Sequence, residues 1–293
     1  DLDAIGGNAK VGSSSWMVAE ADESDGSFLK FLPQIAVVTN IENDHLDHYG
    51  SEAEIYRAFV QFVNQVKPGG AAVIGLDSAA VRTLAAQAGS HCITYAVDQV
   101  ADFTARQLVS QGMETSFEVY RYGESLGTMR ISVPGRHNVM NCLACVVVGM
   151  QLGVAFEQIA AIMPGFGGVK RRFQTKGRAH GIWVVDDYGH HPTEIRETLA
   201  AMRQIWQDRL IVVFQPHRYT RTKALFHEFT RAFSAVDILI LNDIYPASEE
   251  PIEGINSSAL GEAIRKAGQQ HVEYIPGAEA TVEYLLNTVN EKD

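Results

Sequence analysis

Val185-Asp186-Asp187-Tyr188-Gly189-His190-His191-Pro192 sets two carboxylates, a phenol and two imidazoles directly after an apolar run. Carboxylates and imidazoles are the side chains that exchange protons, bind metals and orient nucleophiles near neutral pH. A second cluster, Phe214-Gln215-Pro216-His217-Arg218-Tyr219-Thr220-Arg221, also ends an apolar run. It adds guanidinium forks, which grip carboxylates through two parallel hydrogen bonds. Side by side, the two loops make a pocket suited to an amino acid; separate solvent-exposed loops are the plain alternative.

Two stretches nearer the start suggest a different chemistry. Glu20-Ala21-Asp22-Glu23-Ser24-Asp25 holds four carboxylates in six residues, and Thr39-Asn40-Ile41-Glu42-Asn43-Asp44-His45-Leu46-Asp47-His48 adds acids and imidazoles. A solvated acidic loop explains the first stretch by itself. Brought together at neighbouring strand ends, the two outline a site for Mg²⁺ or Mn²⁺, since oxygen donors with one imidazole suit those ions better than zinc. Asn138 and Asn141 stand three apart on one helix face, where two carboxamides can read a nucleobase edge; an ordinary N-cap role explains Asn138 as well. Lys170-Arg171-Arg172-Phe173 is either a basic, solvent-facing triplet or a cation source for a phosphate.

The elements that must position these groups follow from periodicity. Trp16-Ala19, Ile35-Thr39 and Ala71-Ile74 read as short buried strands, and Ser51-Val66 carries apolar residues at helical spacing until Pro68-Gly69-Gly70 stops it. Phe103-Val109, Thr115-Tyr122 and Gly127-Val133 lie close together with turn residues between them, which predicts a small antiparallel sheet attached to the first domain. Helices are expected over Asn138-Leu152 and Phe156-Ile162. Pro164-Gly165-Phe166-Gly167-Gly168 is the densest Gly/Pro cluster and the candidate boundary. Beyond it, strands at Ile182-Val185, Leu210-Phe214 and Ile238-Leu241 alternate with helices at about Thr193-Trp206, Ala224-Phe233 and Ser257-Ala267. That rhythm predicts parallel βαβ crossovers. Domains of 1–168 and 169–293 result, both α/β.

Bulk properties narrow the function. The 293 residues suit two cores. A net charge of −11, from 24 Lys+Arg against 35 Asp+Glu, disfavours nucleic acid or an anionic membrane as the main partner. Cys92, Cys142 and Cys145 lack metal-ligand spacing and sit among apolar neighbours, as in a reduced, cytoplasmic chain. No stretch reaches the roughly 18–20 apolar residues of a membrane span. Asp1-Leu2-Asp3 lacks the basic start of a signal peptide.

Taken in order, Glu20-Asp25, Thr39-Asp47, Gly135-Arg136-His137-Asn138-Val139-Met140-Asn141, Arg171-Arg172-Phe173, Val185-Glu194 and Phe214-Arg221 closely resemble the motifs of the Mur ligase family. Six motifs in sequence are far more specific than any one of them. The resemblance implies the remainder of a central ATPase domain, a mostly parallel sheet with a small antiparallel one, followed by a Rossmann-like C-terminal domain. It implies ATP and Mg²⁺ (or Mn²⁺) as cofactors, with UDP-N-acetylmuramate and L-alanine as substrates joined through an acyl phosphate. By the same resemblance Glu20 and His45 ligate magnesium, and Asn138 and Asn141 hold the adenine side of ATP. Arg172 reaches the γ-phosphate and Asp187 the ribose hydroxyls. Tyr188, His190, His217 and Arg221 surround the incoming amino acid. An ATP site shared between the domains implies closure about the Pro164-Gly168 linker.

One departure matters. The family's Gly-x-x-x-x-Gly-Lys-Ser/Thr phosphate loop has no counterpart here, because the chain holds no Gly-Lys dipeptide. The UDP-binding domain and a final C-terminal strand are missing too, so a fragment without activity of its own is expected. Other readings stay open: a ligase that recycles a whole tripeptide, a binuclear-metal hydrolase using Glu20, Asp22, Asp44 and His45, or a non-catalytic nucleotide-binding module. Oligomeric state is not legible.

Overall fold

The computed structural model describes residues 7–88, 92–291 and 293, with the backbone alone at 46 and 47; Asp1-Leu2-Asp3 lies outside the described residues. The chain forms two compact units, Asp1–Gly167 and Gly168–Asp293.

In the first unit, β1 (Ile35–Val38), β2 (Ala71–Gly75) and β3 (Cys92–Ala96) alternate with α1 (Leu46–Tyr49), α2 (Glu52–Asn64) and α3 (Ala79–Gln87). The strands pair in parallel. Strand β2 is buried along its whole length, as a central parallel strand covered on both faces must be. Its Ala72 and Ile74 pack with Phe62 and Leu84 in one core, while Val73 belongs to the core on the other face. Ser51 starts α2 by accepting the Glu54 amide, and Glu52 and Glu54 suit the positive end of the helix.

Strands β4 (Phe103–Gln111), β5 (Glu114–Arg121) and β6 (Glu124–Ile131) form the expected antiparallel meander. It is not a separate sheet. Tyr95 and Ala96 of β3 pair in parallel with Phe103 and Thr104, so all six strands run as one sheet in the order β1-β2-β3-β4-β5-β6. Across it lie α4 (Arg136–Gln151) and α5 (Phe156–Ile162). Val139, Leu143 and Val146 of α4 are buried against Phe103, Phe117 and Met129 of the meander.

Trp16-Ala19 corrects the sequence reading. The segment is not a strand, and Met17 and Val18 are 83% and 90% exposed. An apolar tetrapeptide becomes a strand only where a neighbour takes its N–H and C=O groups, and among the described residues no strand pairs with it.

The second unit opens with a hairpin of β7 (Gln174–Ala179) and β8 (Ile182–Asp186). Its turn is His180-Gly181, both at positive φ (52° and 80°), which matches the right-handed strand twist. After α6 (Pro192–Ile205) come β9 (Ile211–Phe214), α7 (Tyr219–Ala224), α8 (Phe226–Ala232), β10 (Ile238–Leu241), α9 (Ser257–Lys266), β11 (Val272–Tyr274) and α10 (Ala278–Thr288). The parallel sheet here has the order β11-β10-β9. The expectation that β8 would join it is corrected, because the partner of β8 is β7, a strand whose polar, largely exposed residues carry no apolar signal. The helix expected over Ala224-Phe233 is α8, and the short α7, which the sequence reading does not mark, precedes it, the two parting at Leu225. Phe214, Phe229, Phe233, Leu239 and Leu260 fill this core.

Candidate functional site

Unit 1 places the acidic stretch as a tight turn rather than at a strand end. The Asp22 carboxylate accepts the Ser24 amide at 2.9 Å and that of Asp25 the Ser27 amide at 2.8 Å. The hydrogen bonds from Ser24 hold the Asp22 carboxyl below its usual range. Tyr49 Oη donates to the Glu23 carbonyl at 2.5 Å and ties α1 to this turn. His45 precedes α1 at φ 58°, a left-handed conformation that a non-glycine residue adopts only when its surroundings impose it. Its amide donates to Asp44 Oδ1, and its Nε2 lies 3.7 Å from Asp44 Oδ2 and 3.9 Å from Glu23 Oε1.

The carboxylates around His45 are therefore Glu23 and Asp44, while Glu20 is exposed. Among the described residues no three His, Cys, Asp or Glu side chains form a ready-made metal cage. A single hard divalent cation fits better. Mg²⁺ keeps several waters and takes phosphate oxygens, and needs only one or two protein ligands.

Asn138 and Asn141 lie on the first turns of α4, with Asn141 Nδ2 3.5 Å from Asn138 Oδ1. Asn138 is not the N-cap; Gly135 is, at φ 98°, and Asn138 Nδ2 instead donates to the Pro134 carbonyl at 2.7 Å. Its neighbour Arg136 anchors the helix start to Asp77 at 3.1 Å and to Asp98. Asp77 also accepts the Val97 and Asp98 amides, each at 3.1 Å. This aspartate ties down the first residue of α4, and no local pattern marks it in the sequence.

Unit 2 interlocks its candidates. The Asp187 carboxylate accepts the Phe173 amide at 2.9 Å and the Gly189 amide at 2.7 Å, which folds the loop after β8 onto the segment before β7. The Tyr188 amide donates to the Arg171 carbonyl, and the Arg171 guanidinium lies 4.5 Å from the Tyr188 ring centroid. Glu194, three residues past the N-cap His191, completes a capping box. It accepts the His190 and His191 amides at 3.0 and 3.2 Å and the Arg172 guanidinium at 2.9 Å. Burial pushes its carboxyl up, yet those amides with Arg172 and His190 prevail and leave it below its ordinary value.

A continuous line of rings follows. Tyr188 meets His190 edge-on at 5.2 Å, His190 lies 6.2 Å from His217, and His217 stacks on Tyr245 at 5.3 Å. Buried Arg221 brings Nη1 to 3.3 Å from His217 Nδ1. Burial, then the charges of Arg221, His190 and Arg218, push the His217 imidazole down, so the neutral ring is favoured. Tyr188, His190, His217 and Arg221 thus form one cluster, and Tyr245 joins it unannounced by the sequence reading. A neutral imidazole, a phenol and a buried guanidinium can accept a proton from an ammonium group and pair with a carboxylate.

Two family models cover most of the chain: the Mur ligase middle domain matches residues 11–149, and the Mur ligase glutamate ligase domain matches residues 171–293. The chain belongs to the Mur ligase family. Among Mur ligases, it is 50% identical over 292 residues to UDP-N-acetylmuramate–L-alanine ligase of Geotalea daltonii, an alignment covering 100% of this chain and 64% of that protein. The same-named protein of Syntrophus aciditrophicus is 49% identical, with 100% and 61% covered. The chain therefore spans less than two thirds of the length of these relatives. Its fold matches the crystal structure of UDP-N-acetylmuramate-alanine ligase from Thermotoga maritima with a TM-score of 0.72 at 24% identity, covering 93% of this chain and 57% of that one. The ADP complex of a MurF ligase from Thermotoga maritima gives 0.70 at 16% identity, with 92% and 59% covered.

Proposed function

We propose that this chain serves the ATP-dependent joining of L-alanine to the carboxylate of UDP-N-acetylmuramate, a cytoplasmic step of peptidoglycan precursor synthesis. The observation that carries this reading is the 50% identity, over 292 residues, to a relative of that name. The ring-and-guanidinium cluster of unit 2 supports it with chemistry suited to an amino acid.

A carboxylate does not acylate an amine until its oxygen becomes a leaving group, so the muramate carboxylate attacks the γ-phosphate of ATP, the bond to the bridging oxygen breaks, and an acyl phosphate forms as ADP leaves. His45 would hold Mg²⁺, with Glu20 as the family resemblance implies although Glu23 and Asp44 are the carboxylates beside His45; the ion supplies charge screening and Lewis acidity when bound. Asn138 and Asn141 hold the adenine side of the nucleotide. Arg172 spreads positive charge over the transferred phosphoryl group, and Asp187 takes the ribose hydroxyls. In unit 2, Arg221 pairs with the carboxylate of L-alanine, while Tyr188 and His190 line its side. His217, favoured as neutral imidazole, accepts a proton from the alanine ammonium so that the amine can attack the acyl carbon. Phosphate leaves and a peptide bond remains.

The test is ADP release by the full-length protein with UDP-N-acetylmuramate, Mg-ATP and, in turn, L-alanine, L-serine, glycine and the recycled tripeptide. Release that depends on L-alanine is expected. Release with the tripeptide alone assigns the recycling reaction instead, and metal-dependent hydrolysis without ATP would overturn the ligase reading. His45→Ala should abolish turnover with the far-UV circular dichroism unchanged; near-normal turnover would remove His45 from the metal site.

A further inference from the structure

The loops after β9 and β10 are stitched together by backbone. The Arg218 amide donates to the Tyr245 carbonyl and the Tyr245 amide to the Pro216 carbonyl, both at 2.8 Å, and His217 and Tyr245 form a parallel bridge. This stitching holds unfavourable conformations on both sides: Arg218 at φ 71° in one loop, Ala247 and Ser248 at φ 47° and 71° in the other. Non-glycine residues persist there only when surrounding contacts over-determine them.

One side chain adds further contacts between the two loops. The Glu249 carboxylate accepts the Thr220 amide at 3.0 Å and the Thr220 hydroxyl at 2.6 Å, and lies 3.9 Å from Arg218 Nη1. It also accepts the Tyr219 amide. Burial pushes its carboxyl up, but the Thr220 and Tyr219 hydrogen bonds, with the charge of Arg218, bring it below the usual carboxylate value. The glutamate is therefore a charged hook: it belongs to the loop after β10 and grips the two residues between Arg218 and Arg221.

Arg221 follows that grip directly in the chain. It sits one residue past Thr220 and reaches back to the His217 ring at 3.3 Å and the His217 carbonyl at 3.4 Å. If the Thr220 turn loosens, Arg221 and His217 lose their shared geometry without any change to the groups themselves.

We propose that Glu249 is a positioning residue of the amino-acid pocket, clamping the Arg218-Arg221 turn so that Arg221 and His217 present one fixed carboxylate-and-amine geometry. This inference rests on the proposed amino-acid site of unit 2. It concerns Glu249, which touches Thr220 and acts through Arg221.

The experiment compares wild type, Glu249→Gln and Glu249→Ala in the full-length protein, with L-alanine and ATP varied separately and thermal unfolding recorded. Glutamine keeps one acceptor and the shape but loses the charge and the second acceptor. The KM for L-alanine should rise about tenfold in Glu249→Ala and less in Glu249→Gln, with kcat falling alongside it as His217 loses its place, and with the KM for ATP and the melting temperature close to wild type. An unchanged KM for L-alanine in both variants overturns the proposal. So does a parallel loss in both KM values, kcat and melting temperature, which marks Glu249 as a general stabiliser. If the wild type does not ligate L-alanine, the functional reading fails on its own, and NMR then decides the clamp. The Arg221 Nε–Hε and His217 ring signals should move in Glu249→Ala while the His190 amide, held by Glu194, stays in place. Arg221 and His217 signals identical to wild type would overturn the clamp.

Discussion

Two helices carry candidate residues into the two units, and they are held in different ways. Helix α4 begins at Gly135 without a side-chain cap, and what fixes it is apolar: Val139, Leu143, Val146 and Val147 are fully buried against the six-stranded sheet. Helix α6 begins in a polar web, with Glu194 joining the His190 and His191 amides to Arg172. The asparagine pair thus inherits its position from a core, and the His190 loop inherits its position from charge. Apolar packing is indifferent to pH, whereas a carboxylate holding amides is not. The two sets of candidate residues should therefore fail under different perturbations.

The largest expected effect is on the core side. Leu143→Ala should cost about 2–5 kcal/mol through lost burial and the cavity left behind, read by urea denaturation with hydrogen exchange in α4, and with little change between pH 5 and 8. A cost below about 1 kcal/mol would mean that α4 is not held by packing. Smaller, and aimed at a polar anchor of α4, Asp77→Ala takes an acceptor from two amides and one of two carboxylates from the Arg136 guanidinium, and should cost about 1.5–3 kcal/mol. If it exceeds Leu143→Ala, the contrast between the helices collapses.

The smallest effect concerns the polar side and is one of pH. The folded-state carboxyl of Glu194 lies below its ordinary value of 4.5, so it stabilises unit 2 above that value, and the stabilisation disappears as pH falls through the folded-state value. In Glu194→Gln, that acid-dependent portion should vanish, while exchange protection of α4 keeps the wild-type pH profile. Fluorescence favours this measurement, since Trp183 and Trp206 lie in unit 2 and Trp16 in unit 1. Identical acid profiles for wild type and variant would place the web outside the stability of the unit.

Much of this arrangement could be read from the chain. The strands at Ile35, Ala71, Ile211 and Ile238 are apolar runs that only a buried sheet satisfies, and the helix after Ser51 announces its cap and its buried face. Strand β7 was not legible, because Gln174–Ala179 is nearly all polar and exposed and owes its conformation to β8. Trp16-Ala19 failed in the opposite direction, with strand-like residues and no partner. Among candidate residues, the loops after β8 and β9 were visible because chemistry clusters locally there. Asp77, Tyr245 and Glu249 were not, because their partners lie 59, 28 and 29 residues away.

What the sequence determined by itself is therefore the set of local signals: which runs must be buried, where helices start, and which residue types are available at the ends of strands. Periodicity and composition record those because each depends on neighbours within a few residues. The tertiary structure alone decided the pairings: the continuity of β3 with β4, the union of Tyr188, His190, His217 and Tyr245 in one line of rings, and the grip of Glu249 on Thr220. Hydrogen bonds and ring contacts act over only a few ångströms, and the chain segments that make them are brought within that distance by the fold.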